Sequence, residues 1–207
     1  VEKWYYIPVD GDVSAGGKVD RVDECDGLVR VIDYKTGNIS YTAEEYYAGV
    51  KLQLPLYLLV ASKGKRPAGA YYFPANVEFG DKPAGDFTLK GFMDCGEEVV
   101  RNTDKTIKDK ERSAFVDAYL NGRQLAGGLP EEDFSDFIAY SALIAKRGAK
   151  EMFGGNIAPS PFTGACDYCK MGGMCGFAAG PDSRPRSVDG ITCADVARIV
   201  KKLRGEE

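Results

Sequence analysis

The sequence predicts an α/β fold, and three observations carry that prediction. Two apolar-rich segments face each other across Asp26-Gly27, a dipeptide favoured in two-residue hairpin turns. Apolar residues recur at helical spacing through residues 130–153, where Phe134, Phe137, Ile138, Ala142 and Ala145 share one face. From Gly154 to Pro185 the chain is rich in Gly, Pro and Cys, so regular structure is expected to stop there. This divides the chain into a core over 1–153, a Cys-rich segment over 154–185 and a C-terminal helical segment over 186–207.

The hairpin strands are expected over 17–26 and 27–35. A turn centred between Asp26 and Gly27 sets Asp20 opposite Asp33 and Lys18 opposite Lys35, with Asp20, Asp33 and Lys35 on one face of the sheet. Carboxylates directly opposite one another repel and weaken the pairing unless something positive lies between them. A divalent cation such as Mg2+, which takes carboxylate oxygens, answers that need. Asp33-Tyr34-Lys35 alone is a short motif, equally explained by a solvated face with a Lys–Asp pair; the cross-strand register is what points to a cation.

Thr42 followed three residues later by Glu45 is a capping-box pattern and predicts a helix start. Val50, Leu52, Leu54, Leu56 and Leu58 alternate with other residues, which favours a strand, yet Pro55 is at odds with a central strand and would kink a helix. Local sequence leaves this stretch open; as a helix it would stack Gln53 and Tyr57 on one face. Residues 68–74 read as a buried strand and 87–93 as a weaker one. Helices are expected over 97–120 and 130–153, with a loop between them, and over 192–203, the last with a basic end at Arg198, Lys201, Lys202 and Arg204.

The 207 residues, 44% hydrophobic and 28% charged, suffice for one substantial core. No apolar run reaches the roughly eighteen residues of a membrane span, and the first residues lack a leader pattern, so a cytoplasmic location is expected. Val at position 1 suggests a piece of a longer polypeptide. A net charge of −4 argues against a uniformly basic nucleic-acid-coating protein but leaves room for a local basic groove. The absence of His removes Ser-His-Asp and Cys-His nucleophile systems and Cys2His2 zinc sites, leaving carboxylates, Lys, Tyr, Cys or a metal for any catalysis.

Of the six cysteines, Cys166, Cys169 and Cys175 crowd into ten residues, a spacing that favours a metal centre over a disulfide framework. A zinc ribbon without His would need a fourth thiolate, and an iron–sulfur cluster usually takes four. Cys25, Cys95 and Cys193 have no partner spacing and read as ordinary semi-buried cysteines. Three free structural thiols is the remaining alternative for the cluster.

"GKVDRVD", "VIDYKTG", "LQLPLY" and "CDYCKMGGMCGF", in this order and spacing, resemble RecB-type nucleases of the PD-(D/E)XK superfamily, most of all the C-terminal nuclease domains of AddB-type subunits of bacterial helicase-nucleases. "YYAGVKLQLPLYL", "GAYYF" and "GNIAPSPF" are similar to that group too, so the likeness runs from about residue 5 to 178. The resemblance implies a restriction-endonuclease-like core with a mixed central sheet flanked by helices, and a Cys-rich iron–sulfur segment. It implies Mg2+- or Mn2+-dependent, exonuclease-type DNA hydrolysis in double-strand break repair and recombination. Asp20, Asp33 and the Tyr34 carbonyl would hold the metal, Lys35 would be catalytic, and Gln53 and Tyr57 would match a Q-x-x-x-Y motif on a helix beside the site. Cys166, Cys169 and Cys175 would be ligands of a [4Fe-4S] cluster whose fourth Cys lies outside this chain. The implied partners are DNA, an AddA-type subunit and the upstream part of the same polypeptide, with no membrane.

Two departures stand out. The upstream helix that often adds a Glu or His to the site is not recognisable, and "GFAAG" follows the cysteines where the family usually has an acidic residue after Phe. The competing readings are a catalytically silent DNA-binding or scaffold module and a stand-alone CRISPR-associated RecB-like nuclease. The intact Asp20, Asp33 and Lys35 set disfavours the first, and the cluster spacing with the long 98–153 helical region disfavours the second.

Overall fold

The computed structural model describes residues 3–11, 13–75, 87–121, 124–126, 128–177 and 183–206. Most of "GFAAG" and part of the loop before residue 130 therefore lie outside the described residues. Strands β1 (Lys3–Asp10) and β2 (Val13–Val19) form an antiparallel ribbon, and β3 (Arg21–Cys25) with β4 (Leu28–Lys35) forms the hairpin that follows. Helices α1 (Ala43–Tyr47) and α2 (Gln53–Ala61) cross over to β5 (Arg66–Pro74), parallel to β4, and β6 (Lys90–Met93) adds antiparallel to β5. The main sheet, in the order β3-β4-β5-β6, is thus mixed. Helix α3 (Glu97–Thr103), a small hairpin of β7 (Tyr119–Asn121) and β8 (Gln124–Ala126), and helices α4 (Glu131–Phe153), α5 (Gly172–Cys175) and α6 (Cys193–Arg204) complete the order. Among the described residues no helix is long and apolar enough to cross a membrane.

The Asp26-Gly27 turn forms where the sequence places it: both residues take positive φ, 51° and 78°, as a type I′ hairpin requires. The expected strand over 17–26, however, divides at Asp20. Val19 and the residues before it pair with β1, so Lys18 faces Trp4 rather than Lys35, whereas Arg21 onward pair with β4. The register of the β3–β4 half, Arg21 to Ile32, is the one anticipated and carries Asp20 to the level of Asp33.

Strand β4 is buried on both faces, as a central strand beside a parallel neighbour should be. Val29 and Val31 enter a core with Leu54, Leu58, Phe134, Phe137, Val196 and Val200, drawn from α2, α4 and α6. Ile32 enters a second core with Met93, Val100, Val116 and Leu120. The C-terminal helix α6 thus packs into the main core, helped by Lys201 on Asp133 (2.7 Å) and Arg204 on Asp136 (2.5 Å).

The stretch the sequence left open is helix α2. Its apolar alternation arises because the helix is buried nearly all round, with Leu54, Leu56, Tyr57 and Leu58 all inside. Pro55 falls in the first turn, where its missing N–H has no intrahelical partner to lose. Thr42 caps α1 with the reciprocal Glu45 bond, as expected. Tyr46 then locks α1 to α4: its hydroxyl donates to the Phe137 carbonyl at 2.5 Å, and the two rings lie 4.4 Å apart.

The expected helix over 97–120 stops at Thr103. Asp104 ends it by offering the backbone a different partner, a preference of short polar side chains. Its buried carboxylate accepts from the Thr106 and Ile107 amides and from the Thr106 and Ser113 hydroxyls. The weak strand is also shorter than expected, Lys90–Met93 rather than 87–93.

Asp104→Ala is expected to cost about 2–4 kcal/mol, because it removes a charged acceptor and strands several donors. Urea unfolding checks this; a loss under about 0.5 kcal/mol would contradict it. Burial pushes the Tyr72 and Tyr140 phenols up to about 12 and raises Tyr46 and Tyr71 as well. A proton held more tightly in the folded state adds stability that is full below the unfolded value near 10 and is lost as pH rises through the folded value. Tyrosinate absorbance of these groups is therefore expected to appear together with unfolding above about pH 10. Ionisation of all twelve tyrosines with structure retained would contradict it.

Candidate active site

The site gathers at the C-terminal end of β4. Alternation along the strand places Asp33 on the same face as Val29 and Val31, and its side chain is buried. Lys35, two residues on, turns back to the same face and brings Nζ to 2.5 Å from Asp33 Oδ2. That oxygen is fully buried, and no donor reaches it in hydrogen-bonding geometry. A buried carboxylate oxygen met only by a misaligned ammonium is an acceptor still short of a partner.

Asp20 sits in the bend between β2 and β3, at the same end of the sheet. Its Oδ2 accepts the backbone N–H of Tyr34 at 3.0 Å, which fixes the carboxylate beside the residue that follows Asp33. The Tyr34 ring points to the other face of the sheet and meets Phe73 edge-on at 5.6 Å. Asp20, Asp33, Tyr34 and Lys35 are therefore brought together as the sequence reading expected.

Gln53 and Tyr57 occupy one face of α2, and Gln53 Nε2 donates to the Tyr57 hydroxyl at 3.2 Å. Among the described residues they bond to each other rather than to the carboxylates. The Tyr57 ring lies against β2 at Gly17, where an added Cβ would stand 2.1 Å from its hydroxyl oxygen. Gly17 thus permits the contact that seats α2 on the strand leading into Asp20.

Tyr72 is a site residue that sequence reading placed only as part of a buried strand. The parallel register pairs it with Asp33, and its ring lies 5.6 Å from Lys35 Nζ, a cation–π contact. Burial first, then the charges of Asp33 and Glu45, push its phenol up to about 12. The signal was the register of two parallel strands, which depends on the crossover through α1 and α2 rather than on any local pattern.

The cysteine segment behaves differently. Cys166, Cys169 and Cys175 are all exposed, spread over successive turns and the short α5. Their chemistry suits an iron–sulfur or zinc centre, but among the described residues no three Cys, Asp or Glu side chains converge as a metal-holding group. Of the other cysteines, Cys95 is buried and Cys193 half-buried, its thiol pushed up to about 11 by burial and by Glu44. Cys25 was expected to be semi-buried and is exposed, because it closes the hairpin beside the turn.

Comparison with known proteins agrees with this geometry. The profile of the PD-(D/E)XK nuclease superfamily matches residues 2–176. The chain belongs to that superfamily. It is similar to proteins named as the AddB-type subunit of an ATP-dependent helicase/deoxyribonuclease: 27% identical over 90% of this chain in Alkaliphilus metalliredigens, and 31% over 85% in Caldanaerobacter subterraneus subsp. tengcongensis. A third, from Carboxydothermus hydrogenoformans, is 38% identical over 51% of the chain and 11% of its own length. The chain spans about a fifth of the length of the first two, 19% and 18%.

Gly17→Ala is expected to destabilise the fold by about 1–3 kcal/mol through overpacking against Tyr57. Combined with Tyr57→Ala, most of that cost should vanish, a coupling of about 1 kcal/mol or more in a double-mutant cycle. Additive effects in urea unfolding would show that the two do not touch.

Proposed function

We propose that this chain is the nuclease domain of a larger helicase-nuclease subunit and hydrolyses DNA phosphodiesters, working from ends in double-strand break repair and recombination. The observation that carries this reading is the buried Asp33 Oδ2 without a hydrogen-bond donor, next to Lys35 and level with Asp20. The superfamily profile and the names of the similar proteins support it.

Asp20, Asp33 and the Tyr34 carbonyl would hold a divalent cation, Mg2+ or Mn2+. Such a cation supplies Lewis-acid polarisation of a phosphate and lowers the pKa of a bound water. The Asp33 oxygen fits that role, since a buried acceptor with unused capacity suits a hard cation. Asp20 is held in place by the Tyr34 amide, so its orientation does not depend on the cation. Lys35 keeps a positive charge where negative charge would grow on the phosphate, and the Tyr72 ring beneath it restrains its swing. Gln53 and Tyr57 position β2, and through it Asp20, rather than touching the reacting atoms.

The working protein would include the upstream part of the same polypeptide and an AddA-type partner, acting in the cytoplasm. Cys166, Cys169 and Cys175 would supply three ligands of a [4Fe-4S] cluster completed by a cysteine outside this chain, as a staple for an exposed segment. Anaerobic reconstitution should yield matching iron and sulfide; stoichiometric zinc without sulfide would contradict it.

The nuclease reading is tested with end-labelled linear single- and double-stranded DNA, in Mg2+ and in EDTA. Metal-dependent release of label is expected, reduced more than about 100-fold by Asp33→Ala with the circular dichroism spectrum unchanged. A fully active Asp33→Ala protein would overturn the assignment.

A further inference from the structure

Behind the candidate site, on the other face of β4, lies a cleft of about 320 Å³ in which Tyr34, Phe73, Phe87 and Phe115 present aromatic surface beside Arg21 and Arg30. Three of these rings are well exposed: Tyr34 at 43%, Phe87 at 49% and Phe115 at 53%. Rings this open around one cleft leave apolar surface that nothing in the fold uses.

The rings are held rather than loose. Phe115 donates its N–H to Ser113 Oγ, which in turn donates to the buried Asp104, and its carbonyl accepts from Leu89. The segment that fails to continue α3 thus delivers a fixed ring to the cleft. Tyr34 is braced edge-on by Phe73.

The charge is also specific. Arg21 and Arg30 both bind the single carboxylate of Asp23, at 2.7 and 3.0 Å, so the trio carries one net positive charge. The lining contains both guanidiniums and no carboxylate. Stacking faces with a surplus cation match a nucleobase joined to a phosphate, and a base offers its π-face freely only when unpaired.

We propose that this cleft is a stacking subsite for unpaired bases of a single strand whose backbone rounds the end of β4 to reach Asp33 and Lys35. The proposal rests on the nuclease reading for its substrate. It accounts for the shared strand: Tyr34 turns its ring to the cleft while its amide holds Asp20.

The test is anisotropy of fluorescein-labelled oligothymidylate, an abasic oligomer of equal length and a duplex, titrated with the 207-residue chain in EDTA so that binding is read without cleavage. Oligothymidylate is expected to bind about 5- to 100-fold more tightly than the abasic oligomer. Phe115→Ala and Phe87→Ala should each remove most of that difference and leave abasic affinity unchanged, while Arg21→Gln weakens both. Their half-exposed rings make these variants safe for folding, which circular dichroism confirms. Equal affinity for the two oligomers, no binding of either, or Phe variants that bind like the parent would overturn the subsite. Base-dependent binding by a chain that cleaves nothing would instead sink the nuclease reading and leave the subsite standing.

Discussion

The buried Asp33 carboxylate, met by Lys35 at the end of β4, is the constraint around which the site is built. An ion pair taken out of water seldom repays its desolvation, and an apolar pair of similar size would often be more stable. Here the pair is not even well aligned, since Oδ2 has no donor in bonding geometry. The fold compensates with its surroundings: Val29 and Val31 anchor the strand in the main core, β5 flanks it in parallel, and Tyr72 lies under the ammonium. An arrangement that costs stability is what a site retained for chemistry looks like.

One strand serves two purposes because its side chains alternate. Asp33 and Lys35 face the helices; Tyr34 faces the aromatic cleft, and its amide fixes Asp20 from within the sheet. The helices contribute rigidity rather than chemistry. Tyr46 ties α1 to α4, α6 closes over α4, and Tyr57 meets β2 at the bare Cα of Gly17.

Local chemistry made much of this readable in the sequence. The Asp26-Gly27 turn and the register that levels Asp20 with Asp33 follow from turn geometry alone. The long helix α4 and the capped starts of α1 and α6 follow from periodicity and capping. What escaped depends on distant partners. The break at Asp20 arises because β1 claims Val13–Val19, the helix after Glu97 yields to a side-chain knot at Asp104, and α2 alternates only because it is buried all round. Tyr72 joined the site through a parallel register that no local pattern encodes.

The central claim is that Asp33 and Asp20 form a place for a divalent cation, and calorimetric titration of Mg2+ or Mn2+ into the chain and into its Asp33→Asn variant tests it most directly. A saturable site in the parent, weakened about 10-fold or more in the variant, is the predicted result. Equal affinity in both proteins, or no saturable binding in the parent, would contradict it.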